Sequence, residues 1–63
     1  MIICIVRMQS RPFVIQNEDL DGPKVWESID CLEDWLAEPT PLIQAAEDVW
    51  AFDISNGEVT ELL

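Results

Sequence analysis

The chain has 63 residues, 49% of them hydrophobic, and its 13 Asp and Glu against three Lys and Arg give a net charge of −10. A charge of that sign and density disfavours direct binding of nucleic acid or anionic membranes, and favours partners whose surfaces are built to hold phosphates. The hydrophobic content, with Trp26, Trp35 and Trp50, argues for a folded domain over disorder, since each aromatic can bury roughly 150 to 250 Å² in a core.

One domain over residues 1–63 is expected. A domain of this length buries only about 60% of the surface its unfolded chain exposes, so a homodimer or another partner is an expected source of further burial. The apolar opening run stops at Arg7, far short of the roughly 20 residues that cross a bilayer, and carries no basic leader or cleavage site. The expected location is the cytoplasm, that of the host cell if the chain is phage encoded.

Residues 2–8, Ile-Ile-Cys-Ile-Val-Arg-Met, form a β-branched run apolar on both faces and predict a strand covered on both sides. Phe13, Val14, Ile15 and Gln16 resume the pattern, with Gln9 and Ser10 as a turn between them. That hairpin puts Cys4, Val6, Met8, Phe13 and Ile15 on one face and Ile3, Ile5 and Val14 on the other. Pro12 lacks a ladder donor and therefore belongs at a sheet edge or strand start.

Residues 17–23 read as a loop, and 24–27 as a short strand. A helix over 29–38 follows, with Ile29, Leu32, Trp35 and Leu36 on its apolar side; its start is expected at Ser28 or at Asp30, the latter with Glu33 as an acidic capping box. Pro39 ends it. Thr40-Pro41 is an N-cap followed by proline at the first helical position, which predicts a short second helix over 41–47.

Residues 49–54 and 58–63 flank Ser55-Asn56-Gly57, and Asn-Gly is the favoured pair for a two-residue hairpin turn. The implied register pairs 54 with 59, 52 with 61 and 50 with 63, placing Trp50, Phe52, Ile54, Val59 and Leu63 on one face. The expected fold is a two-layer α+β domain, an antiparallel sheet in the order strand-strand-helix-strand-strand with one main and one short helix. The side of the sheet away from the helix is expected to gather Ile3, Ile5, Val14, Val49, Ala51 and Leu62 as an apolar partner or dimer interface.

The residue types argue against enzymatic chemistry. His and Tyr are absent, which removes the commonest acid-base and several nucleophilic arrangements. Adjacent carboxylates such as Glu33 with Asp34, or Glu47 with Asp48, read as solvated surface in a domain too small for a desolvated cleft. Asn17-x-Asp19-x-Asp21-Gly22 begins like a calcium loop, but Glu27 stands five places after Gly22 instead of six, so an acidic turn is expected and neither metal nor cofactor. Cys4 and Cys31 are expected as reduced, buried thiols.

The acidic residues carry the functional expectation. At helical spacing, Glu27, Asp30, Asp34 and Glu38, flanked by Glu33, stand about 5 to 6 Å apart along one edge, close to the roughly 6 to 7 Å between adjacent phosphates of a duplex. No basic residue lies within helical reach of the row. The expected function is non-catalytic: a DNA-mimic inhibitor of a nucleic-acid-binding protein, in the manner of phage-encoded anti-CRISPR, anti-restriction or polymerase-modulating proteins, an analogy of size and charge only. The alternative is an adaptor or antitoxin-like module that binds through the apolar sheet face.

Overall fold

β1 (Ile2–Met8) alternates between two environments: Ile2, Cys4 and Val6 are buried, while Ile3 and Ile5 are half-buried on the opposite side. The computed structural model describes residues 1–19, 21–55 and 57–63. After β1 come β2 (Arg11–Val14), α1 (Ile29–Leu36), α2 (Pro41–Ala45), β3 (Asp48–Ser55) and β4 (Glu58–Glu61). The sheet is antiparallel throughout in the order β2-β1-β3-β4, so the small α+β architecture is as expected.

Pairs Val6 with Phe13 and Ile5 with Val14 reproduce the expected first hairpin. Its turn is formed by Gln9 and Ser10, both left-handed at φ 53° and 64°. Counting back from this two-residue turn, the hydrogen-bonded pairs fall at Met8 with Arg11, Val6 with Phe13 and Cys4 with Ile15, the last seen as Ile15 N–H donating to the Cys4 carbonyl at 2.9 Å. Pro12 lies between them on an edge strand with its missing donor facing outward, so it costs no ladder bond.

Residues 24–27 are not a strand. Only Trp26 bridges to Ile2, each donating its N–H to the other's carbonyl at 2.9 to 3.0 Å. The flank of β1 beyond β2 is just long enough for that exchange before the chain turns into α1. The cap of α1 is Ser28, whose Oγ accepts from Cys31 N–H at 3.3 Å; Asp30 lies inside the first turn, and the Asp30–Glu33 capping box is not formed. α1 stops at Leu36 and α2 at Ala45, each shorter than its expected span. In α2, Thr40 caps and Pro41 opens the helix as expected.

In the second hairpin, Ile54 pairs with Val59 and Phe52 with Glu61, as expected. The ladder ends there, followed by Leu62 N–H donating to the Ala51 carbonyl at 2.7 Å, so the pair 50 with 63 is not made. Asn56 of the expected turn lies outside the described residues, and Gly57 supplies a positive φ of 78°.

The assignment of sheet faces is where the sequence misleads. β1 pairs with β3 as Ile3 with Phe52, Ile5 with Trp50, Cys4 with Ala51 and Val6 with Val49. Directly paired residues point to the same side of an antiparallel sheet. Ala51, expected on the open face, is therefore fully buried beside Cys4, and Val49 packs on the same core. Leu62 shares the parity of Ala51, past the end of the ladder. The open face instead gathers Ile3, Ile5, Val14, Trp50, Phe52, Ile54 and Val59.

The core proper is Ile2, Cys4, Val6, Ile15, Trp26, Leu32 and Ala51, with Trp35, Leu36 and Leu42 packed against it, so both helices cover one side of the sheet. Cys4 is buried as expected; Cys31 is exposed, because it lies on the solvent side of the first turn of α1.

The left-handed Gln9-Ser10 turn generates a stability prediction. A non-glycine residue in that region costs roughly 1 to 2 kcal/mol, and Asn-Gly is the pair best suited to such a turn. Replacing Gln9→Asn with Ser10→Gly is expected to raise the unfolding free energy by about 1 kcal/mol, while the Ser10 N–H to Glu47 Oε1 bond of 3.0 Å remains available because it uses backbone. Urea unfolding measures it, and a loss of stability would contradict the turn.

Candidate functional site

Two opposed surfaces emerge from this architecture, one acidic and one apolar. The acidic one is built on α1. Leu32 is fully buried and Ile29, Trp35 and Leu36 pack toward the sheet, which turns Asp30, Glu33 and Asp34 to solvent. Trp35 fixes the helix against Trp26, with ring centroids 5.3 Å apart and planes tilted by 57°.

Glu27, Asp30, Glu33, Asp34 and Glu38 are all exposed. Only Asp30, Glu33 and Asp34 stand on the helix itself. Glu27 precedes the extended Ser28 cap, and Glu38 follows the Ala37 C-cap, where its N–H bonds the Trp35 carbonyl at 3.2 Å. The expected five-residue helical row is thus a three-residue helical cluster with a carboxylate in the bend at either end.

Countercharge lies elsewhere. Arg7 pairs with Asp48 and, at 3.6 Å, with Glu47, tying β1 to the start of β3. The Met1 amino group meets Asp53 at 3.4 Å. Lys24 Nζ sits 5.7 Å from the Trp26 ring centre. Among the described residues, none of the five carboxylates on and around α1 takes part in an ion pair.

Asp53 has its carboxyl held below the ordinary Asp value, first by the Ser55 hydroxyl donating at 2.7 Å and then by the Met1 amino group. A depressed carboxyl contributes stability above its unfolded value, lost as the pH falls through the lowered one. Burial pushes the Cys4 thiol up.

On the apolar surface, Ile3, Ile5 and Val14 lie where expected, joined by Trp50, Phe52, Ile54 and Val59 of the second hairpin. Val59 is 68% exposed and Val14 38%, whereas Trp50, Phe52 and Ile54 are half-buried by their strand neighbours. The sequence carried a signal for these residues, since their alternation already put Trp50, Phe52, Ile54 and Val59 on one face. What it lacked was the pairing of β3 with β1.

A third feature went unanticipated. An open apolar cleft of about 590 Å³ runs between the β2 edge and the helices, lined by Val6, Met8, Phe13, Ile15, Trp35 and Leu42. It borders the edge strand β2, whose Phe13, on the core side, is 51% exposed.

The described residues include no buried polar or charged side chain, so the carboxylates are solvated. In the 17–23 loop, Asn17 donates its side-chain amide to Asp21 at 3.1 Å and its N–H to the Gly22 carbonyl at 2.9 Å, an acidic turn closed on itself. Among the described residues no cluster of three or more His, Cys, Asp or Glu is placed to share a metal ion. No described helix is long and apolar enough to cross a membrane. Comparison with known proteins gives no match to the chain, whether a family model, a curated protein or a solved structure.

The two thiols offer a test of the layered core. Cys4 is fully buried and Cys31 exposed, so a thiol reagent is expected to modify one thiol rapidly in the native protein and both after denaturation, with Cys31→Ser removing the fast phase. Equal rates at both thiols in the native protein would contradict the burial of Cys4 beneath α1.

Proposed function

We propose that this protein is a non-catalytic inhibitor that occupies the basic surface of a nucleic-acid-binding protein with its acidic helix face. The observation that supports this reading best is the exposure of Glu27, Asp30, Glu33, Asp34 and Glu38 without a basic partner among the described residues. Ordinary exposed helices mix charges, because i to i+4 pairs of opposite sign stabilise them and like pairs such as Asp30 and Asp34 do the reverse. A helix that keeps its carboxylates unpaired has them available for an Arg and Lys groove. Phage-encoded anti-CRISPR, anti-restriction and polymerase-modulating proteins are the functional types this surface fits.

The target is then a protein, and nucleic acid is the competitor. Attraction across such an interface steers association and falls with salt, since exposed charges are screened over about 8 Å at physiological ionic strength.

A second reading is favoured by a separate observation, the apolar sheet face carrying Trp50, Phe52 and Val59. It makes the protein an adaptor or antitoxin-like module whose acidity serves solubility. Salt separates the two, because an apolar complex persists where a charge-driven one dissociates.

Partners captured by the immobilised protein at low salt, and tested for competition against labelled DNA, provide the assay. Reversal of Asp30→Lys, Asp34→Lys and Glu38→Lys together is expected to weaken competition about 100-fold or more, since like charges in an interface cost several kcal/mol. Circular dichroism is expected to keep its helical signal, all three positions being exposed. Undiminished competition by the folded triple variant would overturn the mimicry.

A further inference from the structure

The open face of the sheet is an apolar surface that neither helix covers. Four strands spaced by about 4.8 Å, each running for up to about 20 Å, present a face whose middle is Ile3, Ile5, Trp50 and Phe52, bordered by Val14, Ile54 and Val59. Both helices pack on the other side. We infer that a second copy of this chain covers this face, so that two sheets stack into a sandwich with the acidic helices outermost.

Area is the first argument. Burying the face on both copies removes on the order of 1,000 Å² from water, the lower bound for a specific interface, and its content of Trp, Phe and Ile resembles an interface core more than a solvated surface. Among the described residues seven hydrophobic side chains are buried, a single Trp the largest of them, which leaves the lone domain short of apolar burial.

Charge is the second argument, and it selects the occupant. Two chains of net charge −10 repel each other unless they meet where that charge is absent. On this face the charged groups are Arg7 with Asp48, already paired at one end, and Glu61 on the edge strand; the centre has none. Stacked sheets lie about 10 Å apart with a helix layer about 10 Å behind each, which separates the two acidic helices by roughly 30 Å, several screening lengths at physiological salt. The apolar face is thus the place where a second copy can dock without bringing the acidic surfaces together. The inference is independent of what the acidic face binds.

Sedimentation of the unmodified protein at micromolar concentration, in about 0.15 M and about 1 M salt, is expected to give a dimer of the 7.2 kDa chain in both. Ile5→Thr with Phe52→Thr keeps strand-forming residues and is expected to raise the dimer dissociation constant about 30-fold or more, as loss of central interface anchors does. Mixed isotope labelling provides a readout on the unmodified protein: contacts between copies are expected at Ile5, Trp50 and Phe52. A strictly monomeric protein, or intermolecular contacts confined to α1, β2 or the cleft, would overturn the proposal.

Discussion

The pairing of β1 with strands on both sides is the constraint on which the rest of the molecule depends. Cys4 and Val6 are fully buried because the strand is central, with β2 on one side and β3 on the other. From that position β1 fixes the side of every neighbour: Phe13 and Ile15 follow Val6 and Cys4 toward the helices, and Trp50 and Phe52 follow Ile5 and Ile3 away from them. Leu32, fully buried, seats α1 over the inner set. A strand apolar on both faces demands cover on both faces. The helices satisfy one demand, and the proposed second copy would satisfy the other.

The elements governed by local chemistry were legible in the sequence. The first hairpin followed from its alternation and a two-residue gap, the second from Ser55 to Gly57 between apolar runs, and α2 from Thr40-Pro41. At the start of α1 two caps competed within three residues. Ser28 holds the position because its extended backbone lets the hydroxyl reach Cys31 N–H, while Asp30 already lies inside the helix. The pairing of β1 with β3 was illegible for a different reason. More than 40 residues separate Cys4 from Ala51, and either register places alternating apolar residues on both sides of the sheet. The register adopted puts small Ala51 in the buried cluster with Leu32 and Trp26 and sends the larger Trp50 to the opposite side, the arrangement a close-packed core favours.

The same reasoning explains why the acidic row was read longer than it is. Helical spacing continues in the sequence from Glu27 to Glu38, but spacing is meaningful only while the backbone is helical. Ser28 and Ala37 cap the helix at both ends, and Pro39 prevents its extension. Exposure of the carboxylates was legible, because the positions of Ile29, Leu32 and Leu36 determine which side of α1 meets the sheet. Their fixed mutual spacing was not.

The two surfaces bear on each other through geometry. If the apolar faces meet, each acidic helix becomes one of a symmetric pair displayed on opposite sides of a sandwich, and a single dimer presents two equivalent patches to separate targets. Such an arrangement cannot gather both helices into one groove, so any avidity requires a target with two sites or two target molecules held together. On the proposed function, each acidic face would then have to be sufficient by itself for binding. The helical cluster of Asp30, Glu33 and Asp34, extended by Glu27 and Glu38 in the flanking bends, is the surface on which the proposal would place that sufficiency.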